Sequence, residues 1–129
     1  MKNLNIEIKA RCSDHGRIRE VLKSHNALFV GIDPQTDTYF NINRGRLKLR
    51  EGNIENALIY YERGGAHGPK KSEVILYQTQ PGTSLKEILT KALGILAIID
   101  KQREIYLIDN VKFHIDTVRE LGTFIDTEG

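Results

Sequence analysis

Charged and apolar side chains alternate one by one along several short segments of this chain, and this pattern restricts the folds it can adopt. In the segment that reads GRLKLRE, Arg46, Lys48 and Arg50 alternate with Leu47 and Leu49. Successive side chains of a β-strand point to opposite faces of the sheet, so the segment is predicted to be a strand with one basic and one apolar face.

The same alternation recurs along the chain, with basic residues in the middle segments and carboxylates near both ends. The polar faces are predicted to carry Asn5, Glu7, Lys9 and Arg11, then Tyr61 and Arg63, then Lys101 and Arg103, then Lys112, His114 and Asp116, and finally Asp126 and Glu128. Many short amphipathic strands of this kind are typical of a barrel or a sandwich.

Two segments have helical rather than alternating periodicity. The first is predicted over residues 14–26 with Ser13 as its N-cap, and the second follows Pro81, with Ser84 and Glu87 as a capping box and Gly94 at its end. Strands are predicted over residues 3–11, 27–32, 36–41, 46–51, 57–63, 71–79, 95–108, 111–117 and 122–128, with loops at 33–34 and at other Gly and Pro positions.

The direction of the polar faces decides what the protein can do, and two arrangements are open. In the first, an ordinary amphipathic sheet turns its polar face to water. In the second, the helices cover the apolar face from outside and the polar face lines a closed barrel. We expect the second, because the apolar stripe of each helix needs a sheet face to cover and because arginine, which is suited to forked contacts with phosphate, dominates the middle strands.

Cations enclosed in a barrel would repel one another and would need an anion to compensate them. A triphosphate supplies several negative charges at once. Carboxylates such as Glu7, Asp126 and Glu128 could then hold a hard cation, Mg²⁺ or Mn²⁺, that also bridges phosphate oxygens.

Length and charge set the remaining limits. A chain of 129 residues fits one domain, 1–129, with a mainly β (α+β) fold, and its net charge of +2 is too balanced to predict nucleic-acid binding. Cys12 is the single cysteine, so no internal disulfide is expected. The longest apolar run is far too short for a membrane span and the N-terminus lacks a signal-peptide core, so we expect a cytoplasmic protein with no membrane partner.

Five segments in order resemble motifs of the CYTH superfamily, which includes class IV adenylyl cyclases and the triphosphate tunnel metalloenzymes. They are residues 5–11 (NIEIKAR, resembling an ExExK strand), 35–40 (QTDTYF), 45–51 (GRLKLRE), 101–103 (KQR) and 121–128 (LGTFIDTE, resembling LGxFxExE). The resemblance covers nearly the whole chain and is nearest to the class IV adenylyl cyclase branch.

The resemblance implies a closed, eight-stranded antiparallel β-barrel, or tunnel, with a charged interior and helices packed outside. It also implies that a triphosphate would contact Lys9, Arg11, Arg46, Lys48, Arg50, Arg63, Lys101 and Arg103. Glu7, Asp126 and Glu128, together with Asp116, would ligate Mg²⁺ or Mn²⁺, and Glu7, Lys9 and Glu128 would be the catalytic residues.

The chain departs from the family pattern at three places. Asn5 replaces the first glutamate of ExExK, Asp126 replaces a longer glutamate, and the sequence stops at Gly129, where the family usually continues into a helical segment.

Three functions therefore stay open. The first is a metal-dependent enzyme, monomeric or homodimeric, that either cyclises ATP to cyclic AMP and pyrophosphate or hydrolyses tripolyphosphate or an organic triphosphate. The second is a non-catalytic polyphosphate or nucleotide binder, and the third is a structural sandwich with a solvated charged face.

Overall fold

A computed structural model describes residues 3–6, 8–11, 15–63, 71–118 and 122–128 of the chain. Within these ranges the protein is mainly β with two helices. The elements are β1 (Asn3–Ile6), β2 (Ile8–Arg11), α1 (His15–Ser24), β3 (Leu28–Phe40), β4 (Arg46–Glu51), β5 (Ala57–Arg63), β6 (Lys71–Gln78), α2 (Leu85–Leu93), β7 (Ile95–Ile108), β8 (Val111–Val118) and β9 (Gly122–Glu128).

All nine strands join one antiparallel sheet in the order β1-β6-β5-β4-β3-β7-β8-β9-β2. The predicted mainly β, antiparallel architecture is confirmed. The predicted count of eight strands and the closed barrel are not what the pairing shows in the described residues. The two edge strands, β1 and β2, are consecutive in the chain and are separated by a single residue position, 7.

Most strand predictions agree with the structure to within about two residues, but the predicted break near Asp33 is wrong. Residues 28–40 form one continuous strand, β3, in which Pro34 pairs with Gln102 of β7. The pairing of β3 with β4 begins later, at Thr36. Pro34 therefore lies where β3 has a strand partner on one side alone, a place where a residue without an N–H can enter a sheet.

Short loops and turns connect the strands where the sequence indicates them. Asp109 adopts a positive φ of 53° in the turn between β7 and β8, as expected for the predicted tight hairpin. A register shift between Phe29 and Gly31 marks a β-bulge near the start of β3. An extra residue in one strand of a pair usually bends that strand and increases its twist.

Both helices form as predicted, although their starts differ in detail. α1 begins at His15, and its predicted N-cap at residue 13 lies outside the described residues. Ser84 precedes α2 but makes no side-chain capping hydrogen bond, so the predicted capping box is wrong. Gly94 does end α2, with φ 79° and its N–H bonded to the Thr90 carbonyl.

The helices attach to the face of the sheet opposite the buried charges. The guanidinium of Arg19 in α1 binds the carboxylate of Glu104, and Lys86 Nζ in α2 lies 3.2 Å from Glu51 Oε1. Glu104 and Glu51 directly follow Arg103 and Arg50 in their strands, so they belong to the other face of the sheet. Neither helix of the described chain is long and apolar enough to cross a bilayer.

Candidate functional site

One face of the curled sheet buries a row of polar and charged side chains. They come from alternate positions of four strands: Asp33, Gln35 and Asp37 of β3, Lys48 and Arg50 of β4, Lys101 and Arg103 of β7, and His114 and Asp116 of β8. Lys48 is 7% exposed and Arg103 is 2% exposed. These values overturn the alternative of a fully solvated charged face.

Asp37 is the shared carboxylate of three cations. Arg50 donates from Nε to Oδ1 and from Nη2 to Oδ2 of Asp37, each at 3.0 Å. Lys101 Nζ and Lys48 Nζ lie 3.2 Å and 3.8 Å from Asp37 Oδ2. Burial alone would raise the pKa of Asp37, but the hydrogen bonds and charge of Arg50, with the two lysines, hold that pKa well below its usual value.

Asp116 and Arg103 form a second forked pair on neighbouring strands. Arg103 donates from Nε and Nη2 to the two carboxylate oxygens of Asp116, both at 2.8 Å, and Lys101 Nζ lies 3.5 Å from Asp116 Oδ2. Burial opposes ionisation of Asp116, but Arg103 and then Lys101 lower its pKa to about 2. The carboxylate is therefore ionised at neutral pH.

Lys101 lies between these two carboxylates and the two arginines. Burial lowers its pKa first, and the charges of Arg103 and Arg50 lower it further, while Asp37 and Asp116 oppose the change. The resulting pKa is about 8, against 10.5 for an ordinary lysine. Lys101 can therefore change its charge close to neutral pH.

Glu55 brings a further carboxylate to this row from the loop between β4 and β5. Its Oε1 accepts hydrogen bonds from Gln35 Nε2 at 2.8 Å and from Arg103 Nη1 at 3.1 Å. Its Oε2 lies 3.8 Å from both Lys112 Nζ and His114 Nε2. Burial alone would raise the pKa of Glu55, but the positive charge of Arg103 leads a set of contacts that lower it.

A fully buried carboxylate fixes this loop. Asp33 Oδ1 accepts from the backbone N–H groups of Asn53 and Ile54 at 2.6 Å and 3.0 Å, and Asp33 Oδ2 accepts from Glu55 N–H at 2.8 Å. Gln35 Nε2 donates to the same Asp33 oxygen at 2.8 Å. The position of Glu55 is thus set by a buried group that is hydrogen-bonded on both oxygens.

The row of charges ends at a cleft of about 440 Å³ beside this loop. Arg50, Glu55 and Lys112 supply its charged lining. Its other walls mix apolar side chains with neutral polar ones. The apolar side chains are Val30, Ile54, Ala57, Leu76, Ile105 and Leu107, and the polar ones are Asn56, Gln78 and Thr79.

At the opposite end of the row, one predicted phosphate-binding cation is exposed and its neighbour on the same strand face is buried. Arg46, predicted to contact a triphosphate, is exposed there. Lys48 Nζ lies 5.5 Å from the ring centre of Tyr39 and 5.4 Å from that of Tyr61, so both rings contact the cation. Of the predicted phosphate-binding residues, the structure brings Lys48, Arg50, Lys101 and Arg103 together in one buried group.

Several predicted site residues are described by backbone pairing alone, or not at all. Lys9 of β2 pairs with Asp126 of β9, which in turn pairs with His114. Glu128 pairs with Lys112. The backbones of Arg11 and Arg63 belong to β2 and β5, and the predicted residue Glu7 lies outside the described residues.

The expectation that buried arginines would need an external anion is wrong for Arg50 and Arg103, because internal carboxylates already pair with both. The sequence reasoning missed the parts of Asp33 and Asp37 in this network. Polar side chains do alternate at residues 33, 35 and 37, as they would on one face of a strand. The pattern was not recognised because a loop was predicted at Asp33-Pro34.

Asp116, predicted as a metal ligand, has both oxygens bonded to Arg103. Among the residues that the structure describes, no group of three or more His, Cys, Asp or Glu side chains is arranged to hold a metal ion.

The family model described as the CYTH domain matches residues 3–129. This protein belongs to the CYTH domain family. The CYTH domain protein is 28% identical over 142 aligned residues to a candidate adenylate cyclase of Methanocaldococcus jannaschii, an alignment that covers 97% of this chain and 76% of that relative.

Solved structures agree with this assignment at the level of the fold. A conserved hypothetical protein of Pyrococcus furiosus superposes with a TM-score of 0.82 at 22% identity, covering 97% of the CYTH domain protein and 78% of that chain. A Hippeastrum protein, described as a candidate adenylyl cyclase with a dominant triphosphatase activity, gives a TM-score of 0.65 at 13% identity, with coverages of 99% and 78%.

Proposed function

We propose that this CYTH domain protein is an enzyme that binds a triphosphate, together with a divalent metal ion, along the buried row of charges. The observation that carries the proposal is the convergence of Lys48, Arg50, Lys101 and Arg103 on one enclosed face of the sheet. Arginine and lysine in a water-poor site bind phosphate oxygens far more strongly than they do at a surface.

We further propose that the sheet closes into a tunnel. Its two edge strands, β1 and β2, are consecutive in the chain, and they pair with β6 and β9 respectively. A single N-terminal strand that contacts both β6 and β9 would complete a barrel of eight strands, and a closed barrel has no free strand edges.

In this arrangement the four buried cations hold the central phosphates, and the remaining basic residues act nearer the ends of the tunnel. These are Lys9, Arg11, Arg46 and Arg63. The anion would compete with Asp37 for the two lysines. Lys48 Nζ and Lys101 Nζ lie 3.8 Å and 3.2 Å from Asp37 Oδ2 without a forked hydrogen bond, so these contacts would be displaced first.

The metal would be held by carboxylates near both chain ends. Glu7, Asp126 and Glu128 offer oxygen ligands, which Mg²⁺ and Mn²⁺ prefer. The backbone register fits this assignment, since Asp126 pairs with Lys9 on one side and with His114 on the other. A bound metal would neutralise charge on the phosphate oxygens. We retain Asp116 as a fourth candidate ligand that would first have to release Arg103.

Two reactions are compatible with such a site. In cyclisation the ribose 3′-hydroxyl loses its proton and attacks the α-phosphorus of ATP, and pyrophosphate leaves. In hydrolysis water attacks the terminal phosphorus, the bond to the bridging oxygen breaks, and orthophosphate and the remaining diphosphate are released. The relative from Methanocaldococcus jannaschii carries a cyclase name, and the Hippeastrum structure is described by triphosphatase activity. Both names support phosphoryl or nucleotidyl transfer, with Glu7, Lys9 and Glu128 as the proposed catalytic residues.

A non-catalytic polyphosphate binder is the second candidate, and one observation favours it. Asp116, a candidate metal ligand, has both oxygens bonded to Arg103. Turnover needs the metal ion, whereas the buried cations can bind phosphate without it.

Binding and turnover can be separated in one experiment. The protein is titrated calorimetrically with tripolyphosphate and with ATP, each with Mg²⁺ or Mn²⁺, and assayed for released phosphate and cyclic AMP. Turnover that is lost in Glu128→Ala supports the enzyme. Micromolar binding with no product in any combination supports the binder, and no binding at all refutes both.

A matched pair of variants tests whether the buried row is the binding site. Lys48→Gln removes a buried cation, and we expect about tenfold to a hundredfold weaker tripolyphosphate binding, the usual effect of losing a charged hydrogen bond. Arg44→Gln removes the same charge from an exposed pair with Glu62 and should leave binding nearly unchanged. Equal weakening in both variants would place the anion elsewhere.

A further inference from the structure

The loop between β4 and β5 carries a carboxylate into the end of the charged row and holds it there. Asp33, fully buried, accepts the backbone N–H groups of Asn53, Ile54 and Glu55. Because three consecutive backbone donors are bound to one carboxylate, the loop has little freedom to carry Glu55 away.

The carboxylate of Glu55 faces the last cations of the row. It bonds Arg103 Nη1 at 3.1 Å, and its Oε1 lies 4.0 Å from Arg50 Nη1. Its side chain is 18% exposed, so water screens it only in part. Asp37 and Asp116 already place carboxylates beside Arg50 and Arg103. Glu55 adds another where the row ends, so an anion that extends from Lys48 past the two arginines would meet an additional negative charge there.

The cleft beside Glu55 is lined by fewer charged side chains than the row of charges. Its described lining holds two cations, Arg50 and Lys112, and otherwise mixes apolar side chains such as Leu76 with neutral polar ones such as Gln78. A further phosphate group placed in this cleft would approach the carboxylate of Glu55. Arg50 is already paired with Asp37, so Lys112 is the cation in the described lining that would be left to compensate that phosphate.

We infer that Glu55 is a specificity-determining residue that stops the phosphate chain at this end of the tunnel and so selects tripolyphosphate over longer linear polyphosphates. The inference rests on the proposed function, because it assumes that the buried row binds the phosphates. The carboxylate of Glu55 would block a fourth phosphate group by its volume and repel it by its charge. Repulsion between like charges is an effective means of rejecting a competing ligand.

The test compares the dissociation constants of linear tripolyphosphate and linear tetrapolyphosphate at one pH, one ionic strength and one Mg²⁺ concentration. Glu55→Gln keeps the shape of the side chain and one acceptor oxygen for Gln35 and Arg103, but it removes the charge. We expect the preference for tripolyphosphate to fall by about tenfold in this variant, through tighter binding of tetrapolyphosphate. The ratio is the diagnostic readout, because a general gain in positive charge would tighten both ligands alike.

Glu51→Gln is the matched control. It removes one negative charge from the same hairpin on the opposite face of the sheet, where Glu51 pairs with Lys86 in a half-exposed contact. This variant should keep the wild-type ratio. A charge-retaining variant, Glu55→Asp, should keep most of the discrimination.

A second variant keeps the inference testable if Glu55→Gln does not fold. Lys112 is half exposed and its Nζ lies 3.8 Å from Glu55 Oε2, so Lys112→Glu adds a second negative charge at the same wall. The preference for tripolyphosphate should then rise about tenfold.

The outcomes separate the inference from the proposed function. One outcome is that the variants bind tripolyphosphate, but the ratio of the tetrapolyphosphate and tripolyphosphate dissociation constants stays within twofold of wild type in Glu55→Gln or Lys112→Glu. That result overturns the role of Glu55 and leaves the proposed function standing. Failure of the wild type and Glu55→Gln to bind either polyphosphate overturns both.

Discussion

Both carboxylate oxygens of Asp37 accept hydrogen bonds from the guanidinium of Arg50, each at 3.0 Å, across the β3–β4 pairing in which these two residues are direct partners. Their side chains are 3% and 9% exposed. The protein therefore encloses a forked ion pair in its interior, where each charge relies on the other because water hardly reaches either one.

Removing one partner of this pair should be costly. For Asp37→Asn we expect a loss of about 3–5 kcal/mol in the free energy of unfolding, because Arg50 is left buried without its forked partner. Urea denaturation followed by circular dichroism measures this change.

The control for that variant is Glu87→Gln, which removes a carboxylate from an exposed pair with Lys91 on α2. Its effect should stay below about 1 kcal/mol. A loss of less than about 1 kcal/mol in Asp37→Asn would contradict the view that the buried pair is an essential part of the fold.

Anion binding should depend on pH through Lys101, whose pKa of about 8 lies below the usual lysine value. A bound polyphosphate favours the charged lysine, so binding raises this pKa and takes up a proton when the pH exceeds about 8. The contribution of Lys101 to tripolyphosphate affinity should therefore be nearly constant below pH 8. Above pH 8 the affinity should fall, by up to about tenfold per pH unit, because binding then requires the lysine to take up a proton.

Calorimetric titrations from pH 7 to pH 9.5 test this, with Lys101→Arg as the matched variant. Arginine stays protonated throughout this range, so the affinity of Lys101→Arg for tripolyphosphate should fall less with pH than that of the wild type. Because the ionisation of tripolyphosphate itself is common to both proteins, the difference between the two curves reports on Lys101. Curves of the same shape would show that Lys101 does not titrate at the site.

Gly52 should not tolerate a side chain. A Cβ there would lie 2.6 Å from Asp33 Oδ2 and 2.8 Å from the Glu55 carbonyl oxygen, so the loop or the buried carboxylate would have to move. We expect Gly52→Ala to destabilise the fold by about 1–3 kcal/mol, as overpacking typically does.

Thermal unfolding of Gly52→Ala beside Asn53→Ala provides the measurement. Asn53 is exposed and contributes its backbone N–H to Asp33, so truncating its side chain should change the melting temperature little. If Gly52→Ala melted at the wild-type temperature, the tight packing of Asp33 against this loop would be disproved.

Much of the sheet was predictable because strand alternation is a local property. The bounds of β4 and β5, Arg46–Glu51 and Ala57–Arg63, are those expected from the sequence. The buried face of Lys48 and Arg50 was also expected, since the parity of a residue in a strand assigns it to one face or the other. The break predicted at Pro34 failed because proline disfavours a strand only where its missing N–H would be needed.

The partners of the buried charges could not be read in the same way. Arg103 is paired with Asp116 of the next strand, but it also contacts Glu55, which lies 48 positions away in a loop where alternation carries no information. The sequence predicted that the buried cations would need an external anion. In the structure Arg50 and Arg103 are paired with the carboxylates of Asp37 and Asp116.

The amino-acid sequence alone was enough to establish most of the strands, the side of the sheet that carries charge and the family resemblance, because all three depend on the order of neighbouring residues. The folded chain settled which carboxylate faces which cation, how deeply each is buried, and how far the pKa of Lys101 falls. Those properties arise from distances between segments that are remote in sequence, and electrostatic energy depends on such distances and on the exclusion of water.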